Sequence, residues 1–211
     1  EFNIPNFVFS SSCTVYGNPD EVPVTENTAL KPAASAYGYT KQMGEQIVQQ
    51  TANAYGIQSV LLRYFNPVGA HPSNNIGEMI IGKPANLVPA ITQTAIGKLP
   101  QMKVHGTDYP TRDGSCIRDC DVFNLGSGNG YSVLEVIQAF EKVSQVKLNY
   151  TTGPRRRGDV VAIYANNEKA KNELGWKPVY SLEDMMITAW NWELKLNRDE
   201  NLFSAKNAKL N

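Results

Sequence analysis

The sequence is poor in the residues that hold metal ions and build disulfide frameworks. Its 211 residues include two histidines, His71 and His105, and three cysteines, Cys13, Cys116 and Cys120. These residues form no Cys-x-x-Cys pair or other zinc-ligand spacing. A metal site is therefore not expected, and the simplest interpretation of the odd cysteine count is reduced thiols in a cytoplasmic protein.

The chain also lacks an excess of charge of either sign and any long apolar run. Its 20 Lys and Arg balance 20 Asp and Glu, so composition offers no field that would hold nucleic acid or an anionic membrane surface. No apolar run approaches the ~20 residues of a membrane span, and the first ten residues lack the regions of a signal peptide. We therefore expect a soluble globular protein without nucleic-acid or membrane partners.

The first third of the chain reads as strand, long loop, helix and strand. Residues 6–11 predict a buried strand, and the loop at residues 17–35 contains three prolines. Ser35 is a suitable cap for a helix that reaches about Tyr55 and stops at Gly56. Residues 59–66 predict a second strand with little alternation, as in a strand buried on both faces. This order indicates a βαβ unit in a parallel sheet.

The rest of the chain alternates short strands and helices. We predict helices at about residues 86–97, in the stretch after residue 131, at residues 166–174 and from residue 181 to about 196, short strands at 102–106, 121–125 and 147–150, and a polar loop at 107–119. Gly126, Gly128 and Gly130 imitate a dinucleotide-binding turn, but Tyr131 stands where the third glycine of that fingerprint belongs. A tight strand-to-helix turn is the preferred interpretation there.

The row of serines that ends the first strand is the first candidate site. Ser10, Ser11 and Ser12 directly follow the apolar residues 7–9. Ligands of parallel sheets bind beyond the carboxyl ends of the strands, which is where these hydroxyl groups are expected. The alternative is a strand that runs into a solvated turn, and the choice depends on a partner from elsewhere in the chain.

Tyr37 and Lys41 supply that partner. They lie four residues apart, and hence on one face of the predicted helix. A tyrosine alone has a pKa of about 10 and is a poor base at neutral pH, but a neighbouring ammonium favours the phenolate. The spacing is common by chance; beside a strand that ends in hydroxyl groups it predicts a general acid–base site.

Seven stretches in order carry a resemblance to a known family: FVFSSSCTVYG, AYGYTK, LLRYFNPVGAHP, NLVP, DGSCIRD, FNLGSGNGYSVLEV and RRRGD. They resemble the extended short-chain dehydrogenase/reductase family over residues 2 to about 196. The resemblance implies an α/β fold, with a Rossmann-like doubly wound parallel sheet and a smaller α/β substrate-binding domain. Residues 1–70 would form the second half of the NAD-binding domain and residues 71–211 the UDP-sugar-binding region, with Asp121–Leu125 returning to the Rossmann side.

The resemblance also implies a set of site residues, and no metal among their ligands. Tyr37 would be the acid and base, Ser12 would bind the reacting hydroxyl, and Lys41 would hold the nicotinamide ribose. Residues implied to contact NAD are Ser11, Ser12, Tyr37, Lys41 and Phe65. Residues implied to bind the UDP-sugar are Ser12, Asn66, Asn86, Leu87, Lys103, Val104, His105, Arg118, Arg156, Asp159 and Ile163, with the two arginines on the diphosphate and Asp159 on the uridine ribose.

The activity implied is NAD-dependent inversion at C4 of a UDP-hexose. It would interconvert UDP-glucose and UDP-galactose through a 4-keto intermediate, as an isomerase of galactose metabolism that acts as a cytoplasmic homodimer. Ile163 would limit the room beside the sugar's 2-substituent and thereby slow the epimerisation of N-acetylated sugars. The alternatives are another nucleotide-sugar epimerase, a 4,6-dehydratase, or a non-catalytic relic. Against the dehydratase, Ser12-Cys13-Thr14 contains no acid to expel water.

The sequence departs from the family pattern at three places. The family's glycine-rich strand-turn-helix, which cradles the NAD pyrophosphate, has no counterpart before Glu1. A further strand and helix are absent between Asp119 and Cys120, and Ala85 replaces an amide residue before Asn86. We therefore expect a longer native chain with a G-x-x-G-x-x-G segment and an additional strand-helix after Asp119.

Overall fold

The computed structural model describes residues 4–119, 124–125, 127–156 and 159–208, apart from the side chains of Asp119, of Leu125 and of residues 201–208. The strands in this part of the chain are β1 (Asn6–Ser12), β2 (Gln58–Tyr64), β3 (Met102–His105), β4 (Ile117–Asp119), β5 (Asn124–Leu125), β6 (Gly130–Ser132), β7 (Tyr150–Gly153) and β8 (Ala162–Ile163). The α-helices are α1 (Ala36–Tyr55), α2 (Leu87–Ala95), α3 (Val133–Ser144), α4 (Glu168–Leu174) and α5 (Leu182–Ala208).

The chain divides into two compact units that interleave along the sequence. Each unit is assembled from three separate stretches of the chain. The first unit contains Glu1–Pro67, Gly106–Ser132 and Arg155–Val179, and the second contains Val68–His105, Val133–Pro154 and Tyr180–Asn211. How these units correspond to an NAD-binding and a UDP-sugar-binding region stays a prediction.

The predicted βαβ unit is confirmed in the first unit. β1 and β2 pair in parallel from Asn6↔Gln58 to Ser12↔Tyr64, and β5 continues the sheet on the far side of β2. Ser35 caps α1 by accepting a hydrogen bond from the Gly38 amide at 3.0 Å. Gly56 ends the helix in the left-handed conformation, which glycine adopts without steric cost.

The predictions that the first strand is buried and that the second is buried on both faces are wrong for part of their length. Successive side chains of a strand point to opposite faces, and α1 packs on the face of Phe9 and Ser11. The other face carries the paired residues Val8 and Val60, which are 58% and 45% exposed. Within the described residues, the apolar composition of these strands therefore exceeds what the fold buries.

A second sheet of the first unit contains strands that the sequence did not indicate. β4 pairs with β6 in antiparallel and with β8 in parallel. The stretch around β4 was predicted as a polar loop, and β8 was not predicted. Both strands have only two or three residues, which is too short to show periodicity. The core beside this sheet contains Cys13, Val15, Tyr16, Val24, Phe65, Ile163 and Ala165.

The second unit combines a two-stranded parallel sheet with three helices. β3 pairs with β7 from Met102↔Tyr150 to His105↔Gly153, three residues later than the predicted strand at 147–150. α3 packs on α5, and the Phe140 and Trp190 rings meet edge to face with centroids 5.4 Å apart. α5 continues well beyond the predicted end near residue 196, because residues 197–208 contain no glycine or proline to stop it. Across the described residues, the helices include none long and apolar enough to cross a membrane.

Gly44 shows how closely α1 packs on β1. A Cβ atom added at Gly44 would lie 2.5 Å from the Phe9 ring. We expect Gly44→Ala to destabilise the protein by about 1–3 kcal/mol through overpacking, despite the better helix propensity of alanine. Urea unfolding measures the effect, and Phe9→Leu in the Gly44→Ala background should recover part of it. A stabilised Gly44→Ala variant would contradict this packing.

Candidate functional site

The three serines at the carboxyl end of β1 do not share one role. The Ser11 hydroxyl is buried and donates a hydrogen bond to Glu45 Oε1 at 2.6 Å. The Ser12 hydroxyl oxygen accepts from the backbone amide of Thr14 at 3.3 Å and from its hydroxyl at 3.0 Å. Ser12 thereby caps the short 3-10 helix Cys13–Tyr16. Among the described residues, no group accepts the Ser12 hydroxyl proton, which is therefore available for a ligand, whereas the Ser11 proton is held by a carboxylate.

Tyr37 and Lys41 lie at the same end of the sheet. The Lys41 ammonium donates to the Ser10 carbonyl oxygen at 2.9 Å, and it lies 5.5 Å from the centroid of the Tyr37 ring. Tyr37 is 55% exposed. The structure therefore brings a phenol and an ammonium together at the strand end that carries Ser12.

Gly38 allows the first turn of α1 to approach the turn after β1. A Cβ atom at Gly38 would lie 3.0 Å from the Thr14 carbonyl oxygen and 3.3 Å from the Thr14 Cβ. Thr14 is the residue that binds the Ser12 hydroxyl. The residue next to Tyr37 thus packs against the residue that holds Ser12. The three predicted catalytic residues therefore lie on adjacent segments of the chain, and we refer to Ser12, Tyr37 and Lys41 as the catalytic cluster.

A buried polar network lies directly below this cluster. Glu45 is 2% exposed. Its carboxylate accepts hydrogen bonds from Arg63 Nε at 2.9 Å and Arg63 Nη2 at 2.7 Å, in addition to the one from the Ser11 hydroxyl. Arg63 Nη1 donates to the Tyr16 hydroxyl at 2.9 Å, and that hydroxyl donates to Asn124 Oδ1 at 2.9 Å. The network thus joins β1, α1, β2, the 3-10 helix and β5.

Sequence reasoning missed this network. Its signals were an arginine inside an apolar strand and a glutamate one helical turn after Lys41. Neither residue indicates its partner, because the pairing depends on how α1 crosses the strands. Charged side chains are rarely buried unless they are paired, so either residue would have raised the question of a partner.

The surroundings of Tyr16 and Arg63 favour the protonated form of both groups. Burial raises the pKa of the Tyr16 phenol, and the neighbouring Arg63 charge offsets part of this shift. Burial opposes the charge of the Arg63 guanidinium, but its hydrogen bonds to Glu45 and Tyr16 outweigh that effect and raise its pKa. Both groups therefore stay protonated throughout the neutral range.

Two of the predicted ligand contacts lie in the core, and a third lies on an unusual backbone. Phe65 is fully buried and Ile163 is 4% exposed, in the same hydrophobic cluster. The Phe65 ring lies 6.2 Å from the Tyr16 ring. Asn66, the next residue, is exposed and has a φ of 43°, a left-handed conformation that asparagine tolerates better than most residues. The predicted contacts of these residues with NAD or a sugar nucleotide stay predictions.

Arg118 and Asp159 are brought together in the first unit. Arg118 Nη2 lies 3.4 Å from Asp159 Oδ1, and its Nη1 donates to the Val160 carbonyl oxygen at 2.8 Å. The Asp159 amide donates to the carbonyl oxygen of Arg156 at 3.2 Å, and the Arg156 side chain is exposed. Two cations and one carboxylate of the predicted set therefore share one surface of this unit.

Tyr109 and Cys116 border this group of charges. Burial raises the pKa of the Cys116 thiol, and burial also raises the pKa of the Tyr109 phenol, with Asp159 adding to both shifts. The Arg155 guanidinium stacks 4.2 Å from the centroid of the Tyr109 ring. The Tyr109 hydroxyl is buried and has no hydrogen-bond partner among the residues that the structure describes. Sequence reasoning had assigned neither residue to a site.

The remaining predicted ligand residues belong to the second unit. Asn86 is exposed and precedes α2 without making a side-chain cap, and Leu87 begins the helix. In β3, Lys103 is exposed and Val104 is buried, while His105 Nδ1 lies 3.3 Å from the Pro154 carbonyl oxygen. An uncapped helix start has amide groups available for an anion.

Two further predictions concern residues outside the described ranges or groups that could hold a metal. Gly126 of the glycine turn and Cys120 lie outside the described residues. The residues directly after Asp119, where we predict a missing strand and helix, also lie outside them. Where the structure describes side chains, it contains no cluster of three or more histidine, cysteine, aspartate or glutamate residues that could hold a metal ion.

Comparisons with known proteins connect this geometry to a family. The family model described as "GDP-mannose 4,6 dehydratase" matches residues 3–188. Two curated relatives named UDP-glucose 4-epimerase, from Pasteurella multocida and Bacillus subtilis, are 44% and 45% identical over 90% and 92% of this chain. The chain spans 63% and 64% of the lengths of these two relatives.

Solved structures agree in fold. A UDP-glucose 4-epimerase from Bifidobacterium longum, in complex with NAD+ and UDP, superposes with a TM-score of 0.87 at 42% identity, over 90% of this chain and 64% of that one. The enzyme from Stenotrophomonas maltophila, with bound NAD and formylated UDP-arabinopyranose, gives 0.86 at 40% identity, over 92% and 65%. The α/β fold and the family match agree, and the chain belongs to the extended short-chain dehydrogenase/reductase family, as a match to its GDP-mannose 4,6 dehydratase model.

Proposed function

We propose that the protein containing this chain is an NAD-dependent 4-epimerase that interconverts UDP-glucose and UDP-galactose. The observation that carries the proposal is the cluster of Ser12, Tyr37 and Lys41 at the carboxyl end of β1. It occurs in a chain that is 44% identical to a UDP-glucose 4-epimerase over 90% of its length. Galactose metabolism is the pathway that this activity implies.

Each residue of the cluster has a task in the proposed reaction. Tyr37 accepts the proton of the sugar 4-hydroxyl as general base, and Ser12 holds the same oxygen through its free hydroxyl proton. Lys41, fixed at the Ser10 carbonyl, favours the phenolate by its positive charge. When the 4-keto sugar has presented its other face and C4 has regained its hydride, Tyr37 returns the proton to the oxygen, so no net oxidation occurs.

The chain's residues fit NAD at this site. Lys41 uses one of its three donors on Ser10, which leaves two for a ribose hydroxyl. Tyr37 is more than half exposed and hence accessible to a ligand. NAD held there by Lys41 and Tyr37 would supply the acceptor and donor of the C4 hydride. Ser11 does not fit the predicted contact with NAD as well, because its hydroxyl is held by Glu45.

The nucleotide part of the substrate is assigned to charged and helix-terminal groups of the two units. In the first unit, Arg118 and Arg156 carry charge complementary to a diphosphate, and Asp159 could accept from a ribose hydroxyl. In the second unit, the uncapped start of α2 at Asn86 and Leu87 offers backbone amides to phosphate. Residues of β3, namely Lys103, Val104 and His105, are assigned to the uracil.

A 4,6-dehydratase is the second candidate, because the matching family model carries that name. Such an enzyme needs an acid beside the tyrosine to expel water. The residues that follow Ser12 form a 3-10 helix without an acidic residue in its first turn, and Cys13 is buried. Epimerisation needs no such acid, and we prefer it for that reason.

An NMR assay of the full-length enzyme with UDP-galactose separates these possibilities. Formation of UDP-glucose supports the proposed epimerase. A 4-keto-6-deoxy product would instead identify a dehydratase. Binding of UDP without turnover, in protein that retains NAD, would identify the chain as part of a non-catalytic relic.

Ile163 gives a prediction on substrate range. If it limits the room beside the sugar's 2-substituent, kcat/KM for the N-acetylated pair should be about tenfold to a hundredfold below that for UDP-glucose and UDP-galactose. Ile163→Val should raise the N-acetyl activity selectively, and it suits this buried position better than alanine, since Ile→Val costs about 0.5–1.5 kcal/mol. Equal kcat/KM for both pairs in the wild type would remove Ile163 as the gate.

We also propose that the protein is a homodimer and that it is located in the cytoplasm. The free thiol of Cys116 supports the cytoplasmic location. Tyr39, Met43 and Ile47 lie at four-residue spacing on α1 and are 57%, 38% and 66% exposed. Such an apolar stripe on a soluble helix is typical of a helix–helix contact, and we assign it to a second copy of the chain.

The dimer is tested with Ile47→Glu, which should convert it to monomers by placing a charge in the stripe. Sedimentation or light scattering of the full-length protein measures the mass. Gln49→Glu, which adds the same charge on another face of α1, should remain dimeric. A monomeric wild type, or a dimeric Ile47→Glu variant, would refute the proposed contact.

A further inference from the structure

The network below the catalytic cluster has its strongest contacts where the catalytic elements meet. Glu45 lies on α1, one turn after Lys41, and Arg63 lies on β2, directly paired with Ser11 of β1. The Glu45 carboxylate binds both neighbours, with contacts of 2.6, 2.9 and 2.7 Å. One carboxylate therefore joins the helix of Tyr37 to the strand end that precedes Ser12.

The geometry of these contacts is directional. The Arg63 guanidinium meets the carboxylate with two parallel N–H groups, an arrangement that fixes the angle as well as the distance between partners. The side chains of Arg63 and Glu45 are 13% and 3% exposed. The three bonds therefore restrict shifts and rotations of α1 against β1 and β2.

Stability alone does not account for such a pair. A buried ion pair costs desolvation, and well-packed apolar residues of similar volume stabilise a fold as well or better. A purely structural contact at this place could therefore be apolar, as in the core cluster nearby. What an apolar contact does not provide is a fixed register between two elements.

We infer that Ser11, Glu45 and Arg63 are positioning residues of the catalytic site. The Glu45 carboxylate sets the distance between the Tyr37 phenol on α1 and the Ser12 hydroxyl on β1, and Ser11 is the link on the strand side. The catalytic role in this inference rests on the proposed function. Since Ser11 acts through Glu45, its role is separate from binding NAD.

Ser11→Ala tests the link while leaving the ion pair intact. In the full-length enzyme we expect kcat to fall about fivefold to tenfold, as for one lost hydrogen bond. KM for UDP-galactose and the NAD content should change less than twofold. If Ser11 were an NAD ligand, NAD content would fall instead, and an unchanged kcat would overturn the inference.

Glu45→Gln tests the carboxylate, and Glu193→Gln is its matched control. Glu193 is also a buried carboxylate, 3.0 Å from the Lys98 ammonium in the second unit. We expect kcat per folded molecule to fall about a hundredfold in Glu45→Gln and to stay unchanged in Glu193→Gln. Similar losses in both variants would indicate a general effect on folding and contradict the positioning role.

A double variant keeps the test decisive if Glu45→Gln folds poorly. Glu45→Leu with Arg63→Met removes both charges and should recover stability, whereas kcat should remain about a hundredfold low. Recovery of kcat together with stability would overturn the inference.

Hydrogen exchange provides a readout without turnover. We expect faster exchange of the amides at residues 36–43 in Glu45→Gln than in wild type, with no change there in Glu193→Gln. If the wild type does not epimerise any UDP-hexose, the proposed function fails, and this comparison still decides whether Glu45 fixes the start of α1. Equal exchange in all three proteins would refute the positioning role.

Discussion

Replacing Tyr37 with phenylalanine is expected to lower kcat for epimerisation by a factor of about 10²–10⁴, the range for loss of a general acid–base group. The substitution removes one oxygen from a side chain that is 55% exposed, so the fold should not change. UDP binding should stay within about threefold of wild type, because one exposed hydroxyl contributes little to uniform binding. Steady-state kinetics and calorimetry with UDP measure the two effects separately.

Tyr39→Phe is the matched control for this experiment. Tyr39 lies two residues further along the same helix and is 57% exposed, but it faces away from Lys41 because it is not one turn from it. Its kcat should equal that of the wild type within a factor of two. A Tyr37→Phe enzyme that turns over at the wild-type rate would exclude Tyr37 as the base.

Arg63→Met is expected to destabilise the protein by about 3–5 kcal/mol, the cost of leaving a buried charge without its partner. Glu45 would keep its bond from Ser11 but lose both bonds from the guanidinium. The Tyr16 hydroxyl would also lose its donor, although its bond to Asn124 would remain. Urea denaturation at neutral pH measures the loss as a lower midpoint with an unchanged slope.

Arg198→Met serves as the control for charge removal itself. Arg198 pairs with Asp199 at 3.8 Å, and its side chain is 70% exposed. Exposed pairs of this kind contribute about 0–1 kcal/mol, so the midpoint should hardly move. Comparable losses for both arginines would mean that burial of the Glu45–Arg63 pair has no special energetic weight.

The parts of the fold that were predictable are those with a local cause. The cap at Ser35, the stop at Gly56 and the apolar run before Ser10 define the βαβ unit without reference to distant residues. The candidate site at the end of β1 was predicted by the same logic, because the carboxyl ends of parallel strands are where ligands bind. The spacing of Tyr37 and Lys41 then needed only the geometry of one helix.

What the sequence did not indicate depends on contacts between distant residues. Glu45 and Arg63 are 18 residues apart, and Tyr16 and Asn124 are 108 apart. No periodicity connects such pairs. The two-residue strand β8 exists because Ala162 and Ile163 lie beside β4. Ser11 points to the face of the sheet on which α1 packs, so its hydroxyl reaches Glu45. A row of three serines does not show which of them makes this contact unless the position of α1 is known.

The interleaving of the two compact units has a consequence for synthesis of the chain. The first unit needs residues up to Val179, so it stays incomplete while more than a hundred residues after Pro67 are translated. At about 5–20 residues per second, this interval lasts on the order of 5–20 s. Until residues 124–125 have been made, the nascent β1–β2 pair also leaves open the edge of β2 that later pairs with β5. Dependence on a chaperone that shields hydrophobic strands during translation follows from this order of assembly, and ribosome-bound chains stalled before residue 155 should show it.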